Sequence, residues 1–204
     1  MDADGWDRRY EAEDLVWGLD PNRWLVTEAE GLPPGRALDL GCGEGRNALW
    51  LADRGWLVTG VDFAGVGLAR AAQLAEQAEM ASRVTWVQAD VSDPSTWGAS
   101  FDLVVVAYLH LVSGERRRVL RAAAQVLAPR GTLLVIAHDL SNLAQGVGGP
   151  QDPTVLFTPE DVVDDLADVP GLLVLRAERV SRSVLTPDGP RVAYDVLVRV
   201  LLEQ

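Results

Sequence analysis

Lysine is missing from the chain: all 18 basic side chains among its 204 residues are arginine. Schiff-base chemistry and a lysine general base are therefore excluded. A phosphate-binding loop ending in Gly-Lys is excluded as well. A single cysteine, Cys42, rules out an internal disulfide and fits a reducing cytoplasm. Histidine occurs twice, as His110 and His138, in no spacing typical of zinc, so no metal is expected. No apolar run approaches the roughly 18 to 20 residues of a membrane span. The opening MDADGWDRRYEAEDL has neither a basic n-region nor an apolar h-region, so no secretory signal is expected. Basic charge is scarce too: 30 acidic residues leave a net charge of -12, which repels polyphosphates and argues against nucleic-acid partners.

What is present is enough apolar material for a real core, 48% of the residues. The length suits one α/β domain, with residues 1–35 as a cap segment and 36–204 as its core. An Ala/Arg/Gly bias points to a GC-rich bacterial genome. Strands are expected at 36–40, 56–61, 84–88, 101–107, 131–137, 172–180 and 191–201. Helices are expected at 46–54, 67–81, 114–127 and 160–166, the last announced by Thr158-Pro159-Glu160. Continuous runs such as LVVVA and TLLVIA suit strands covered on both faces. The alternation predicts a Rossmann-like, doubly wound, three-layer α/β/α fold. The last two strands, joined by SRSVLTPDGP with no room for a helix, predict an antiparallel C-terminal hairpin. Trp50 and Trp86 fall inside periodic elements and are expected in the core, and Glu115–Arg118 reads as a solvated helix face.

The stretch ALDLGCGEGRNALWLA, residues 37–52, places three glycines where the first strand meets a helix. Glycine permits a sharp turn and close approach of a ligand to backbone N–H groups near a helix N-terminus. The spacing is G-x-G-x-G, and Arg46 stands where a dinucleotide fingerprint needs its third glycine.

D-L-G-C-G-E-G resembles motif I of the class I S-adenosylmethionine-dependent methyltransferases. GCGEGRNALWLADRGWLVTGVDF is similar to their small-molecule branch, which includes tellurite-resistance and thiopurine-type enzymes. The resemblance implies a seven-stranded sheet with an antiparallel last strand, S-adenosyl-L-methionine as cofactor and S-adenosyl-L-homocysteine as product. It places the cofactor on the loop Gly41, Cys42 and Gly43. It implies that Asp39 orders this loop near the methionine amino end, that Asp62 takes the ribose hydroxyls, and that Phe63 lies against the adenine. Asp90 would take the adenine amino group, with the Val91 backbone beside the ring. Ala107 and Tyr108 end the fourth strand where the family holds the methionine moiety. Arg46 and Asn47 are within expected reach of the methionine carboxylate. Tyr10 and Trp17, in the tryptophan-rich N-terminal segment, are candidates to cover the methyl-transfer site.

The two histidines follow the fourth and fifth strands, whose ends share one sheet edge. His138 and His110 are thus the candidate bases or substrate ligands, with Asp139 and Asn142 in the adjoining Gly/Pro-rich loop. The expected activity is methyl transfer to a small-molecule oxygen, sulfur or nitrogen by a cytoplasmic monomer or homodimer, with neither a nucleic acid nor a membrane as partner. Two alternatives stand beside it: an NAD(P)-dependent oxidoreductase, and a non-catalytic S-adenosylmethionine-binding protein.

Overall fold

The apolar runs become the middle of one seven-stranded sheet in the computed structural model, which describes residues 2–12, 15–16 and 18–203. The strands are β1 (Arg36–Leu40), β2 (Leu57–Asp62), β3 (Val84–Gln88), β4 (Phe101–Ala107), β5 (Leu127–His138), β6 (Leu172–Thr186) and β7 (Gly189–Leu202). Their order is β3-β2-β1-β4-β5-β7-β6. The first five are parallel, and β7 runs antiparallel to both β5 and β6. Strand order reverses between β1 and β4, which opens a crevice at their carboxyl ends.

The helices are α1 (Ala3–Ala12), α2 (Arg23–Ala29), α3 (Arg46–Asp53), α4 (Gly65–Gln77), α5 (Ser113–Gln125), α6 (Asn142–Gln145) and α7 (Pro159–Leu166). Alternate strand residues serve opposite faces. Leu38, Leu40, Val104, Val106, Leu133 and Val135 meet Val119 and Leu120 of α5 and Val162 of α7. Ala37, Leu103, Val105, Leu134 and Ile136 meet Leu25 of α2 and Ala48 and Leu51 of α3. Each such leucine, valine or isoleucine contributes about 1.5–3 kcal/mol on burial, so the two-sided sheet is the main source of stability. Thr158 and Asp161 form a capping box with Pro159 in the first turn, which fixes where α7 starts.

Two expectations are corrected. The stretch SRSVLTPDGP is mostly strand: β6 runs on to Thr186, and only Pro187-Asp188 turn the chain before Gly189 at φ +104°. Its serines and arginines look like a loop. They suit a two-stranded ribbon that projects past the core and wets both faces. Nor is Glu115–Arg118 wholly solvated. Arg116 is buried, stacks 4.6 Å from the Phe157 ring and reaches Asp165 at 2.6 Å, while Arg117 reaches the same carboxylate at 3.0 Å. The basic run locks α5 to α7.

The N-terminal segment lies on the carboxyl edge of the sheet. Val66 N–H donates to Asp7 (2.9 Å), and Arg70 donates to the Tyr10 carbonyl (2.7 Å). Val16 N–H donates to Glu44 (3.0 Å), and Asn22 N–H donates to Asn47 Oδ1 (2.9 Å). Among the described residues no helix is long and apolar enough to cross a membrane.

Candidate active site

The β1–α3 turn owes its shape to left-handed backbone, with Gly41, Gly43 and Gly45 at φ +73°, +53° and +80°. L-residues adopt such angles at a cost of about 1–2 kcal/mol each. Packing adds a second demand at Gly45, where a Cβ would stand 2.5 Å from the Trp86 ring. Gly45 thus provides, one residue early, the close contact with the sheet that a dinucleotide fold takes from its third glycine. Trp86 is half-buried between Gly45 and Gly60 rather than fully in the core, and Trp50 is half-buried beneath Arg54. The loop's N–H groups are not spare donors as expected. Gly41 and Cys42 donate to the Val61 carbonyl, Gly45 to the Cys42 carbonyl, and Gly43 to Asp62. The glycines therefore offer room and shape. Cys42 is buried, and burial beside Asp39 and Asp62 holds its thiol well above the ordinary range.

Asp62 closes β2 and accepts from Gly43 N–H (2.8 Å) and Ala64 N–H (2.9 Å), one on each oxygen. Burial raises its carboxyl while these bonds pull it down. Asp39 is buried, and its Oδ2 meets no hydrogen-bond partner among the described residues. Burial, with Asp62 nearby and only partly offset by Arg46, pushes its carboxyl up to about 7. Phe63 is half-buried at the end of β2, and its carbonyl accepts from Gln88 Nε2. Asp90 is exposed beyond β3 and accepts from Ser92 N–H (2.8 Å), while the Val91 side chain enters the core.

The cap meets this loop closely. Tyr10 is buried, its ring near Gly67, where a Cβ would be 3.0 Å from the ring and 3.4 Å from the Gly43 backbone. Arg46 reaches towards the Asp20 carbonyl at 3.5 Å. Asn47 uses its side-chain oxygen to hold Asn22 of the cap, so that atom anchors the chain itself. Trp17 lies outside the described residues.

At the ends of β4 and β5, three rings gather. Tyr108 lies 4.8 Å from His138 and 6.3 Å from His110, and the two imidazoles stack at 5.4 Å. Ala107 is half-buried beside them. Tyr108 holds φ +56° and donates its N–H to the Ile136 carbonyl at 2.7 Å; Leu109, next to it, packs on Gly41. The site and the glycine loop are therefore contiguous. Burial lowers both histidines to about 4, with His138 adding to the effect on His110 and Arg182 to that on His138. Burial beside Asp195 pushes the Tyr108 phenol up to about 12. His110 Nε2 faces the His138 N–H at 3.4 Å. Gly149 covers His138 so tightly that a Cβ there would fall 2.6 Å from the imidazole. Asp139 and Asn142 turn away from the crevice: Asp139 accepts from Ser141 N–H, and Asn142 from Tyr194 N–H at 2.8 Å. Among the described residues no three His, Cys, Asp or Glu side chains converge as a metal site.

Residues 37–131 match the family described as "Methyltransferase domain". The chain is 26% identical over 170 residues to thiocyanate methyltransferase 1 of Arabidopsis thaliana, covering 80% of this chain and 72% of the plant protein. The chain carries a class I S-adenosylmethionine-dependent methyltransferase domain. The N-methyltransferase NodS from Bradyrhizobium japonicum, solved with S-adenosyl-L-homocysteine, shares the fold at a TM-score of 0.74 and 22% identity, over 99% of this chain and 98% of that one. TehB from Haemophilus influenzae matches at a TM-score of 0.72 and 17% identity, over 96% of this chain and 66% of that one.

The methyltransferase's residues fit the cofactor's chemistry. Asp39 offers a buried acceptor atom with no hydrogen-bond partner among the described residues, and the glycine loop beside it keeps left-handed backbone at Gly41, Gly43 and Gly45. Asp39 also makes the methyltransferase pH-sensitive. Its folded value of about 7 exceeds the unfolded value of 3.8, so the cost of ionising it grows as pH rises between them. The histidines act with opposite sign: folded values near 4 against 6.5 unfolded make their cost grow as pH falls from 6.5 to 4. Asp39→Asn is accordingly expected to raise stability at pH 8 and leave it unchanged at pH 4, as read by urea denaturation. Equal effects at both pH values would contradict the assignment.

Sequence reasoning passed over Asp195, Trp24, Arg182 and Glu44. The one available signal was a carboxylate inside the apolar run VAYDVLVRV. A charge in a strand covered on both faces costs several kcal/mol unless something pairs with it.

Proposed function

We propose that this methyltransferase acts on a small molecule, whose oxygen, sulfur or nitrogen nucleophile gives its proton to His138 as it takes the methyl group. The observation that carries the reading is the closed corner where Tyr108, His110 and His138 stack within 4.8–6.3 Å of each other, next to the glycine loop and under Gly149. A corner walled by rings and roofed by a loop and a tied-down cap suits a compact acceptor. The chain's net charge of -12 disfavours nucleic acid. The plant relative's named acceptor, thiocyanate, is itself small.

S-adenosylmethionine supplies a methyl group on a cationic sulfonium, a good leaving group. The chain has then to hold the acceptor in line, exclude water and receive a proton. Asp39 would hold the cofactor's amino end and Asp62 its ribose hydroxyls through the lone pairs its two backbone donors leave free. Tyr10, Phe63 and the 90–91 turn would bound the rest. The Tyr108 face would offer a cation–π surface to the cofactor's sulfonium. His138 is neutral at pH 7, since burial keeps it near 4, and it can accept a proton. His110 spends its Nε2 on the His138 backbone and supports its neighbour.

Titration calorimetry with S-adenosylmethionine, S-adenosylhomocysteine and NADH tests the cofactor site. Both sulfur ligands are expected to bind and NADH not to. Asp62→Ala is expected to weaken the sulfur ligands by about 10- to 100-fold, from lost hydrogen bonds to a charged group. Unchanged affinity would remove Asp62 from the site.

A further inference from the structure

Asp195 is fully buried on β7, in register opposite His138 on β5. Its Oδ2 accepts three hydrogen bonds, from Trp24 Nε1 (3.0 Å), the Tyr108 hydroxyl (3.0 Å) and Arg182 Nε (2.8 Å). Its Oδ1 accepts none among the described residues. Oδ1 instead faces His138 Nδ1 at 3.5 Å, and that nitrogen is buried too, with no hydrogen bond among the described residues. Four side chains, from the cap, the end of β4, β5 and β6, thus converge on one carboxyl group.

We propose that Asp195 is the positioning residue for His138: one oxygen keeps the proton on Nδ1 and leaves Nε2 as the accepting nitrogen, while the other fastens the cap through Trp24. The inference rests on the reading of His138 as the proton acceptor. The chemistry follows from the donor inventory. A carboxylate has only lone pairs to offer, so a neutral imidazole whose Nδ1 faces it must carry its hydrogen there. The other tautomer sets two lone pairs against each other inside the protein. At 3.5 Å the pair is about 0.5 Å longer than a full N–H···O bond. A small rotation of the ring closes it, and the closed bond makes Nε2 more basic as it takes a proton from the acceptor. His110 cannot substitute, because its Nε2 faces the His138 backbone.

The connection to the cap is equally direct. Trp24 lies in the first turn of α2, and its backbone N–H is held by Asn22, whose own N–H is held by Asn47 of α3. When the cap seats on α3, the indole N–H arrives at Asp195. Acceptor enclosure and the orientation of the base therefore share one carboxyl group.

The chain's two histidines make this readable by nitrogen-15 NMR of the ligand-free protein, with His110→Asn used to assign the His138 signals. At pH 7.5 the wild type is expected to show His138 protonated on Nδ1 and bare on Nε2. Asp195→Asn is expected to shift the population to the Nε2-protonated form and to lower kcat by about 10²- to 10⁴-fold, with KM for S-adenosylmethionine little changed. Trp24→Phe, which keeps the packing and deletes the donor, is expected to leave the tautomer intact and to speed amide exchange at residues 22–26. An Nε2-protonated His138 in the wild type would overturn the proposal even if Asp195→Asn fails to fold, and so would an unchanged tautomer in Asp195→Asn. A tautomer as stated, with His138→Asn turning over at the wild-type rate, would instead remove His138 as the base.

Discussion

His138→Asn is expected to lower kcat by about 10²- to 10⁴-fold, the usual contribution of a positioned base. S-adenosylmethionine affinity should stay within about twofold, since an interaction used only in the transition state leaves ground-state binding alone. The choice of Asn matters. Its side-chain NH₂ can still face Asp195 Oδ1, as Nδ1 does at 3.5 Å, so the buried carboxyl group keeps a polar neighbour there. What disappears is the Nε2 lone pair under Gly149. His110→Asn is expected to cost less than about tenfold, because His110 Nε2 is turned to the His138 backbone at 3.4 Å and acts through its neighbour. Steady-state kinetics on both variants with one acceptor makes the comparison. Equal losses in the two would mean that the stacked pair works as a unit.

The second large effect concerns the fold around the cofactor loop. Gly45→Ala is expected to destabilise the protein by about 2–5 kcal/mol, the sum of a left-handed backbone cost and an overpacking cost. The first part follows from φ +80°, the second from the Trp86 ring only 2.5 Å from the new Cβ. Gly148 is a natural control. It holds φ +71° with nothing within 4 Å of a Cβ, so Gly148→Ala should show the backbone part alone. Adding Trp86→Leu to Gly45→Ala should recover the packing part and not the rest. Urea denaturation of the four proteins separates the two; no recovery on removing Trp86 would refute the steric account.

The parallel core was legible because its physics is local. LVVVA and TLLVIA are apolar without interruption, and only strands covered on both faces read that way. β4 matched its expected ends for that reason, and β1 and the outer strand β3 matched theirs as well. The outer part of β6 was not legible: residues 181–186 gain nothing from a core, and their conformation is set by the register with β7. Long-range pairing hid other roles as well. Arg116 looked solvated until Asp165, far along the chain, was brought beneath it. Asn47 is placed as expected, and its oxygen serves the cap.

In the site, position was legible and partnership was not. His138 and His110 could be set at one sheet edge from strand ends alone. That they stack, and that only one keeps an available nitrogen, depends on ring orientations no spacing encodes. Asp195 acquires meaning only when β7 lies antiparallel to β5 and sets it across from His138. The glycine loop was recognised by its spacing, while the internal pairing of its N–H groups came from the fold.

The proposed reaction moves a methyl group from S-adenosylmethionine to a small acceptor. It is tested most directly by incubating the enzyme with methyl-labelled S-adenosylmethionine and a panel of phenols, thiols and amines, then separating small products from macromolecules. Label is expected in at least one small acceptor, with one S-adenosylhomocysteine formed per methyl moved. Label confined to protein or nucleic acid, or cofactor that binds and is never consumed across the panel, would contradict it.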